Sequence, residues 1–439
     1  MEWWVILMGS LFLLLATFAS GAPLFIGFLT ANIITVYLVA GTRGFILVSN
    51  SIFTSATIAS LSAVPLFILM GEILTRSGSV ENLFRGMDGL IGRVRGRQYV
   101  LAVAVSVVFG ALSGAAMAVA AMLGRSLFPT MLERKYDKHL SIGTLLAGAS
   151  LAPIIPPSVL IVVVATLADV SIGRLLISGI GPGLVAALIF LVYIAIRVIR
   201  EPHLSPPVEA RAKSGSLRES VLGILYSLAL LLPFSIIAFA VMGFILFGIA
   251  TPSEAAASGV LGSVAVALIY RRFSFAMLRE AVAGATSITA MIMAIVVSSN
   301  LFGQLLAFTG STQKLVALSA SLADTPFVLV FVLLAIVFVL CMFIDQIALM
   351  LILVPIYEPI VTSAGLDPIW FWLLVLLNLT VGGITPPFGY TMFAFKATAP
   401  DLPLSDVYRA AWPFVGLFIV LMLVVALFPA IATWLPSRM

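Results

Sequence analysis

The chain has 439 residues, 62% of them hydrophobic and only 9% charged, and its mean hydropathy is +1.22. An apolar share this large excludes an ordinary soluble domain. The continuous runs of about 20 residues fit membrane-spanning helices, not the alternating strands of an outer-membrane barrel. The net charge of +5 is small for this length and its basic residues sit in short loops, which reads as membrane topology and excludes nucleic acid as a partner, while the single Cys341 excludes an internal disulfide and a thiolate metal cluster.

The start, Met1-Glu-Trp-Trp-Val, has no basic region, and the first cationic side chain is Arg43. It is therefore read as a retained span with Trp3 and Trp4 at an interface. Apolar stretches at about 5–20, 23–40 and 58–75 predict three spans, with Gly41 to Thr57 as a more polar connection. Arg76, Arg85, Arg93, Arg95 and Arg97 then share one glycine-interrupted amphipathic segment, expected as a lateral arm on the cytoplasmic surface.

The apolar stretch 99–132 is too long for one span, and Gly110, Ser113 and Gly114 lie near its middle. Basic clusters flank it on both sides, so the chain must come back to the face it left. A re-entrant hairpin with its tip near Leu112 to Ala116 does this; two short full spans would do so as well. A broken helix is expected over about 140–168, where Gly148-Ala-Ser-Leu-Ala-Pro-Ile-Ile-Pro-Pro-Ser158 cannot continue as helix. Prolines remove N–H donors, and the carbonyls left behind in the bilayer need protein, water or an ion to satisfy them. A span at 175–197 leads to a Pro- and Gly-containing cytoplasmic linker, 201–219.

The second half adds spans at about 221–247, 254–270 and 281–308, a hairpin at about 326–362, a broken helix at about 369–398 around Gly382-Gly-Ile-Thr-Pro-Pro-Phe-Gly-Tyr390, and a last span at 408–430. Gly78 and Gly310 lie 232 positions apart, as do Ser113 and Asp345, and Pro157 and Pro387 lie 230 apart. These offsets predict an all-α polytopic membrane protein of two inverted repeats, 1–200 and 220–439. Their hairpins would meet tip to tip beside the two broken helices, in an elevator-type scaffold plus transport core, with both termini on the non-cytoplasmic side.

Sodium is a hard cation that takes oxygen, and the oxygen available here is backbone carbonyl, hydroxyl and amide. Ser113, Gly114, Gly148, Ser150 and Pro153 are the candidates for one sodium site, and Asp345, Gly383 and Thr385 for another. Ser158, Asn378, Thr380, Pro386, Tyr390 and Lys396 are candidates to meet substrate. For each Ser or Thr, a hydrogen bond to the carbonyl of the previous turn is the commoner use. Asp345 is an ionisable group inside an apolar run, which by default points to function, although Asp is also a preferred helix N-cap. Lys396 could reach an anion or snorkel to the cytoplasmic face.

Gly248-Ile-Ala-Thr-Pro-Ser-Glu-Ala-Ala-Ala, Arg134-Lys-Tyr-Asp-Lys, Ile155-Pro-Pro-Ser and Ile384-Thr-Pro-Pro-Phe-Gly together resemble the large membrane subunit (DctM-like, M subunit) of tripartite ATP-independent periplasmic (TRAP) transporters, over nearly the whole chain. The resemblance implies a sodium-driven elevator importer of organic acids in a bacterial inner membrane, holding about two Na+. It also implies two partners, a small four-helix membrane subunit and a periplasmic substrate-binding protein. The run after the second break is similar to a subgroup linked with 2-oxo acids, lactate, mannitol or chloroaromatic acids, which implies a small organic carboxylate, such as a 2-oxo or hydroxy acid. An enzyme is not expected: His139 and His203 both fall in predicted loops, and no metal-protease or phosphate-loop pattern occurs. The alternative is a stand-alone sodium- or proton-coupled anion transporter without a binding protein.

Overall fold

A computed structural model describes residues 2–92, 94–207, 217–323 and 325–439, and among these every regular element is helical. The first half contains α1 (Trp3–Ala19), α2 (Leu24–Ala40), α3 (Phe45–Thr57), α4 (Ala63–Arg76), α5 (Val80–Leu90), α6 (Arg97–Ser113), α7 (Ala116–Ser126), α8 (Phe128–Glu133), α9 (Lys138–Ala149), α10 (Val159–Leu167), α11 (Ile172–Ser178) and α12 (Ile180–Arg200). The second contains α13 (Leu217–Leu246), α14 (Pro252–Ile269), α15 (Phe275–Phe308), α16 (Ser311–Ala323), α17 (Pro326–Cys341), α18 (Gln346–Ser363), α19 (Pro368–Gly382), α20 (Tyr390–Lys396), α21 (Leu404–Leu427) and α22 (Ala430–Thr433). Seven helices among the described residues are long and apolar enough to cross a membrane, or up to eight if the bent pair α4 and α5 forms one span.

The helix starts follow from local chemistry. Thr251 opens α14 with a capping box: its hydroxyl accepts from the Glu254 amide at 3.3 Å and Glu254 returns a carboxylate to the Thr251 amide at 2.8 Å, with Pro252 at the first helical position. Much of the Thr-Pro-Ser-Glu motif is thus a helix N-terminus. Asp137, Asp367 and Asp345 cap α9, α19 and α18 in the same sense.

Helices sort by how much of their circumference is apolar and buried. In α9 every residue from Leu140 to Ala149 is buried, and in α19 every residue from Phe371 to Gly382. A helix buried all round must sit inside the bundle, so the two interrupted helices form its centre. Hairpins α6–α7 and α17–α18 pack on them together with α12 and α21. A second group, α1 to α5 with α13 to α15, packs mainly on itself through α4 against α14 and α15, α13 against α5 and α14, and α15 against α2 and α3. Its outward faces are apolar, Phe12 and Phe239 being 75% and 72% exposed, as expected of side chains that meet lipid.

Two expectations need correction. Gly41 to Thr57 is a short 3-10 turn, Gly41–Gly44, followed by helix α3, not a polar connection. Two of its polar residues, Ser51 and Ser55, are buried, and the Asn300 amide of α15 donates to Ser55 at 2.8 Å, whereas Ser49, Asn50 and Thr54 are exposed along with Phe53. The arginine-rich segment is not one arm either. The chain bends by 75° between α4 and α5, which ends at Leu90; beyond it Arg95 donates to the Pro202 carbonyl at 3.0 Å and Arg97 pairs with Asp88 at 3.1 Å. Arg93 lies outside the described residues, as does the linker from 208 to 216. The start of that linker is docked, since the Leu204 carbonyl accepts from the Tyr99 hydroxyl at 2.6 Å and the Asp137 amide at 3.0 Å.

Candidate functional site

The first hairpin turns because α6 ends at Gly114, whose φ of 62° lies in the left-handed region that glycine adopts without a Cβ penalty; its amide donates to the Gly110 carbonyl at 2.8 Å. This tip rests on the first break. A Cβ added to Gly114 would stand 3.3 Å from both the Pro157 carbonyl oxygen and the Val159 amide nitrogen, and one added to Gly110 would stand 3.0 Å from Ala152 Cα. Ser113 and Gly114 are thereby brought to the segment 150–158. On its other side the tip meets α4, where Gly71 lies against the backbone of Leu112 and Ser113.

Within the break, Ser158 caps α10 by accepting from the Ile161 amide at 3.4 Å, and its own hydroxyl donates to the Pro153 carbonyl at 2.8 Å. Ser150 donates to Leu146 at 3.0 Å, and Gly148 lies beside the Ser106 hydroxyl of α6. No hydrogen bond within the described residues reaches the carbonyls of Ser150, Ala152, Ile154 or Pro157, and the buried Ser113 hydroxyl oxygen has no partner there.

The second pair is built the same way from different residues. Hairpin α17–α18 turns at Met342–Asp345, and the break runs from Gly383 to Gly389; both breaks carry a cis peptide, Pro156-Pro157 and Pro386-Pro387. Gly382 faces Cys341 so closely that an added Cβ would fall 2.3 Å from its sulfur. Two further rungs follow. The Tyr390 hydroxyl donates to the Gln346 side-chain oxygen, and the Phe343 and Phe388 rings lie with centroids 6.2 Å apart. Asp345 sits between the two rungs on the hairpin side and caps α18 through the Ile347 amide at 3.0 Å. Thr385 donates to Val381 at 2.7 Å, the Gly383 carbonyl accepts from the Thr391 amide at 3.0 Å, and no hydrogen bond within the described residues reaches the carbonyls of Ile384, Thr385 or Pro386.

Three candidates are not at a tip. Asn378 donates to the Leu334 carbonyl at 2.7 Å and borders a cavity of about 270 Å³ walled by Phe331, Phe338, Trp370 and Met422, between α17, α19 and α21. Thr380 donates to Leu376 at 2.8 Å, one turn back. Lys396 ends α20, which begins at Tyr390, and its ammonium donates to the Pro400 carbonyl. Gln346, Cys341, Phe343, Phe388 and the buried, unpartnered Thr391 hydroxyl belong to the second pair and were not singled out from sequence. Gln346, a polar residue beside Asp345 in an apolar run, carried a usable signal.

The two pairs are cross-linked. Helix α10, beyond the first break, packs on α18 of the second hairpin, and α20, beyond the second break, packs on α7 of the first, while its Phe395 ring lies 5.2 Å from that of Phe128 in α8. Among the described residues no cluster of three His, Cys, Asp or Glu side chains exists. The chemistry on offer is that of carbonyl, hydroxyl and one carboxylate oxygen, suited to a hard cation.

A bundle that buries two interrupted helices against hairpin tips, with unbonded carbonyls at each break, is that of a polytopic membrane transporter. A family profile described as "Tripartite ATP-independent periplasmic transporter, DctM component" matches residues 9–431, and the chain belongs to that family of TRAP large permease subunits. It is 32% identical over 418 residues to the ectoine TRAP transporter large permease protein TeaC of Halomonas elongata, covering 94% of this chain and 95% of that one. It is 30% identical over 389 residues to the C4-dicarboxylate TRAP transporter large permease protein DctM of Pseudomonas aeruginosa, covering 88% of each. The sialic acid TRAP transporter large permease protein SiaM of Vibrio cholerae is 29% identical over 435 residues, 98% of each. Among solved structures, the YdaH transporter of Alcanivorax borkumensis matches with a TM-score of 0.62 over 89% of each chain at 13% identity, a likeness of fold alone.

Proposed function

We propose that this chain imports a small organic acid in symport with sodium, taking it from a periplasmic binding protein and working beside a small four-helix membrane subunit in the bacterial inner membrane. The observation that carries the reading is the pairing of each hairpin tip with its own broken helix, the tip bearing Ser113 in one pair and Asp345 in the other and the break holding carbonyls that no hydrogen bond reaches among the described residues. Sodium at each pair supplies the positive field that a carboxylate needs in a membrane-buried site. The named substrates of relatives, C4-dicarboxylates, sialic acid and 2,3-diketo-L-gulonate, are acids, which supports a carboxylate here.

Two inverted repeats, 1–200 and 220–439, would present these pairs to opposite faces. The central group of helices, α6 to α12 with α17 to α22, would move as one body against the self-packed group, and coupling requires that sodium and substrate bind one state better than the other, typically by about 1–3 kcal/mol. Reconstitution in liposomes tests this. Uptake should need an imposed sodium gradient, which potassium does not replace, and all three components; uptake by this subunit alone would favour a stand-alone transporter.

A further inference from the structure

Away from the hairpin tips, α4 and α15 border another cavity, of about 310 Å³, walled by Leu66 and Leu69 of α4 and by Ala285, Thr286, Thr289 and Ala290 of α15. It opens outward, since Thr286 and Ala290 are exposed, and the Thr289 hydroxyl oxygen is buried without a partner among the described residues. A charged cluster stands at one end. Arg76 Nε donates to Glu72 at 2.6 Å and its Nη1 donates to Glu280 at 3.3 Å. Glu72 and Arg76 lie over Gly284, next to the wall residue Ala285: a Cβ added to Gly284 would stand 2.9 Å from Glu72 Oε2 and 3.1 Å from Arg76 Nη2. Two carboxylates share one guanidinium, so the cluster is net negative. Among the described residues no hydrogen bond engages Arg76 Nη2 or the second oxygen of either carboxylate.

We propose that this cavity holds one acyl chain of a phospholipid whose headgroup joins a primary ammonium to a phosphate, the ammonium meeting Glu280 and Glu72 and the phosphate meeting Arg76. The depths agree. Helix α15 starts at Phe275, just after Arg271-Arg272, which mark an interface; Glu280 lies about 8 Å along it and Ala285 to Ala290 about 15–22 Å. The Thr286 hydroxyl, about 9 Å beyond Glu280, stands where an ester carbonyl can accept from it. Spread over the 12 Å or so from Val282 to Ala290, the volume leaves a slot about 6 Å across, too narrow for a helix of about 10–12 Å and wide enough for one acyl chain. A quaternary ammonium has no N–H to give these carboxylates, and an anionic headgroup has no cation for them. The lipid braces α4, whose Gly71 supports the first hairpin tip, whatever acid is carried.

The test is native mass spectrometry of the full chain released from nanodiscs of equal parts phosphatidylethanolamine, phosphatidylcholine and phosphatidylglycerol with matched acyl chains. The first lipid retained should be phosphatidylethanolamine, by about fivefold over either competitor, the upper end for an ion pair as exposed as Glu280. Glu280→Gln should bring the three lipids within twofold of one another. Ala290→Phe, which fills the cavity, should abolish retention, whereas Ala283→Phe, exposed on the same helix but outside the cavity walls, should leave it unchanged. Equal retention of the three lipids, a preference for phosphatidylglycerol, or retention that survives Ala290→Phe would overturn the assignment. Loss of the lipid on adding the small membrane subunit would give the cavity to a protein partner and overturn it as well.

Discussion

Gly382→Ala tests whether the second hairpin and its broken helix must touch. Gly382 is the last residue of α19, where alanine is the better helix former, and the replacement would gain up to about 1 kcal/mol if only local propensity mattered. The added Cβ, however, would lie 2.3 Å from Cys341 Sγ, 2.5 Å from its Cβ and 3.0 Å from its carbonyl oxygen, against an ordinary separation of about 3.5–4.0 Å. The tip must therefore retreat by about 1 Å or more, an overpacking cost of about 1–3 kcal/mol, and overpacking wins. We expect a lower thermal midpoint in nanodiscs and a severalfold loss of sodium-driven uptake. Gly416→Ala in α21, where nothing lies within 4 Å of the new methyl, should melt at or slightly above the parent. Cys341→Gly removes the two nearest atoms, so combining it with Gly382→Ala should restore uptake in part. A Gly382→Ala protein that is as stable as Gly416→Ala and transports like the parent would refute the contact's importance.

Three further outcomes follow from the site. Asp345→Asn keeps an N-cap side chain while removing the charge, so it should fold with a thermal midpoint near the parent's but need at least tenfold more sodium for half-maximal uptake; Asp345→Ala should in addition lose about 1 kcal/mol of stability. Tyr390→Phe leaves the Gln346 oxygen without its donor and should cost about 1–3 kcal/mol, whereas adding Gln346→Leu should recover part of that loss in a double-mutant cycle on thermal unfolding. Ser113→Ala removes a buried hydroxyl oxygen that has no protein partner among the described residues, so stability should be unchanged or slightly raised while the sodium requirement increases, read from a sodium titration of uptake.

The helix interruptions were legible in the sequence because their causes are local. Gly114 can take a left-handed turn and paired prolines cannot donate, whatever surrounds them. The partners of these breaks were not legible, since Gly114 with Pro157, Gly382 with Cys341 and Tyr390 with Gln346 meet across long stretches of chain. Helix α3 was not legible because polar residues interrupt its apolar run on more than one side: Ser51 and Ser55 pack inward, while Ser49, Asn50 and Thr54 are exposed. Ser150, Thr380 and Thr385 give their protons to the previous turn, while the Ser113 oxygen at a tip is buried without a partner among the described residues.

The central claim is that sodium binds where each hairpin tip meets its own broken helix. Amide hydrogen exchange of the full chain in nanodiscs, with sodium or with potassium at equal ionic strength, tests it most directly. The account predicts sodium-specific protection at 110–118 and 148–160 and at 341–350 and 381–392, reduced in the second pair by Asp345→Asn. Protection that is the same in both salts, or that sodium confers elsewhere in the bundle, would contradict it.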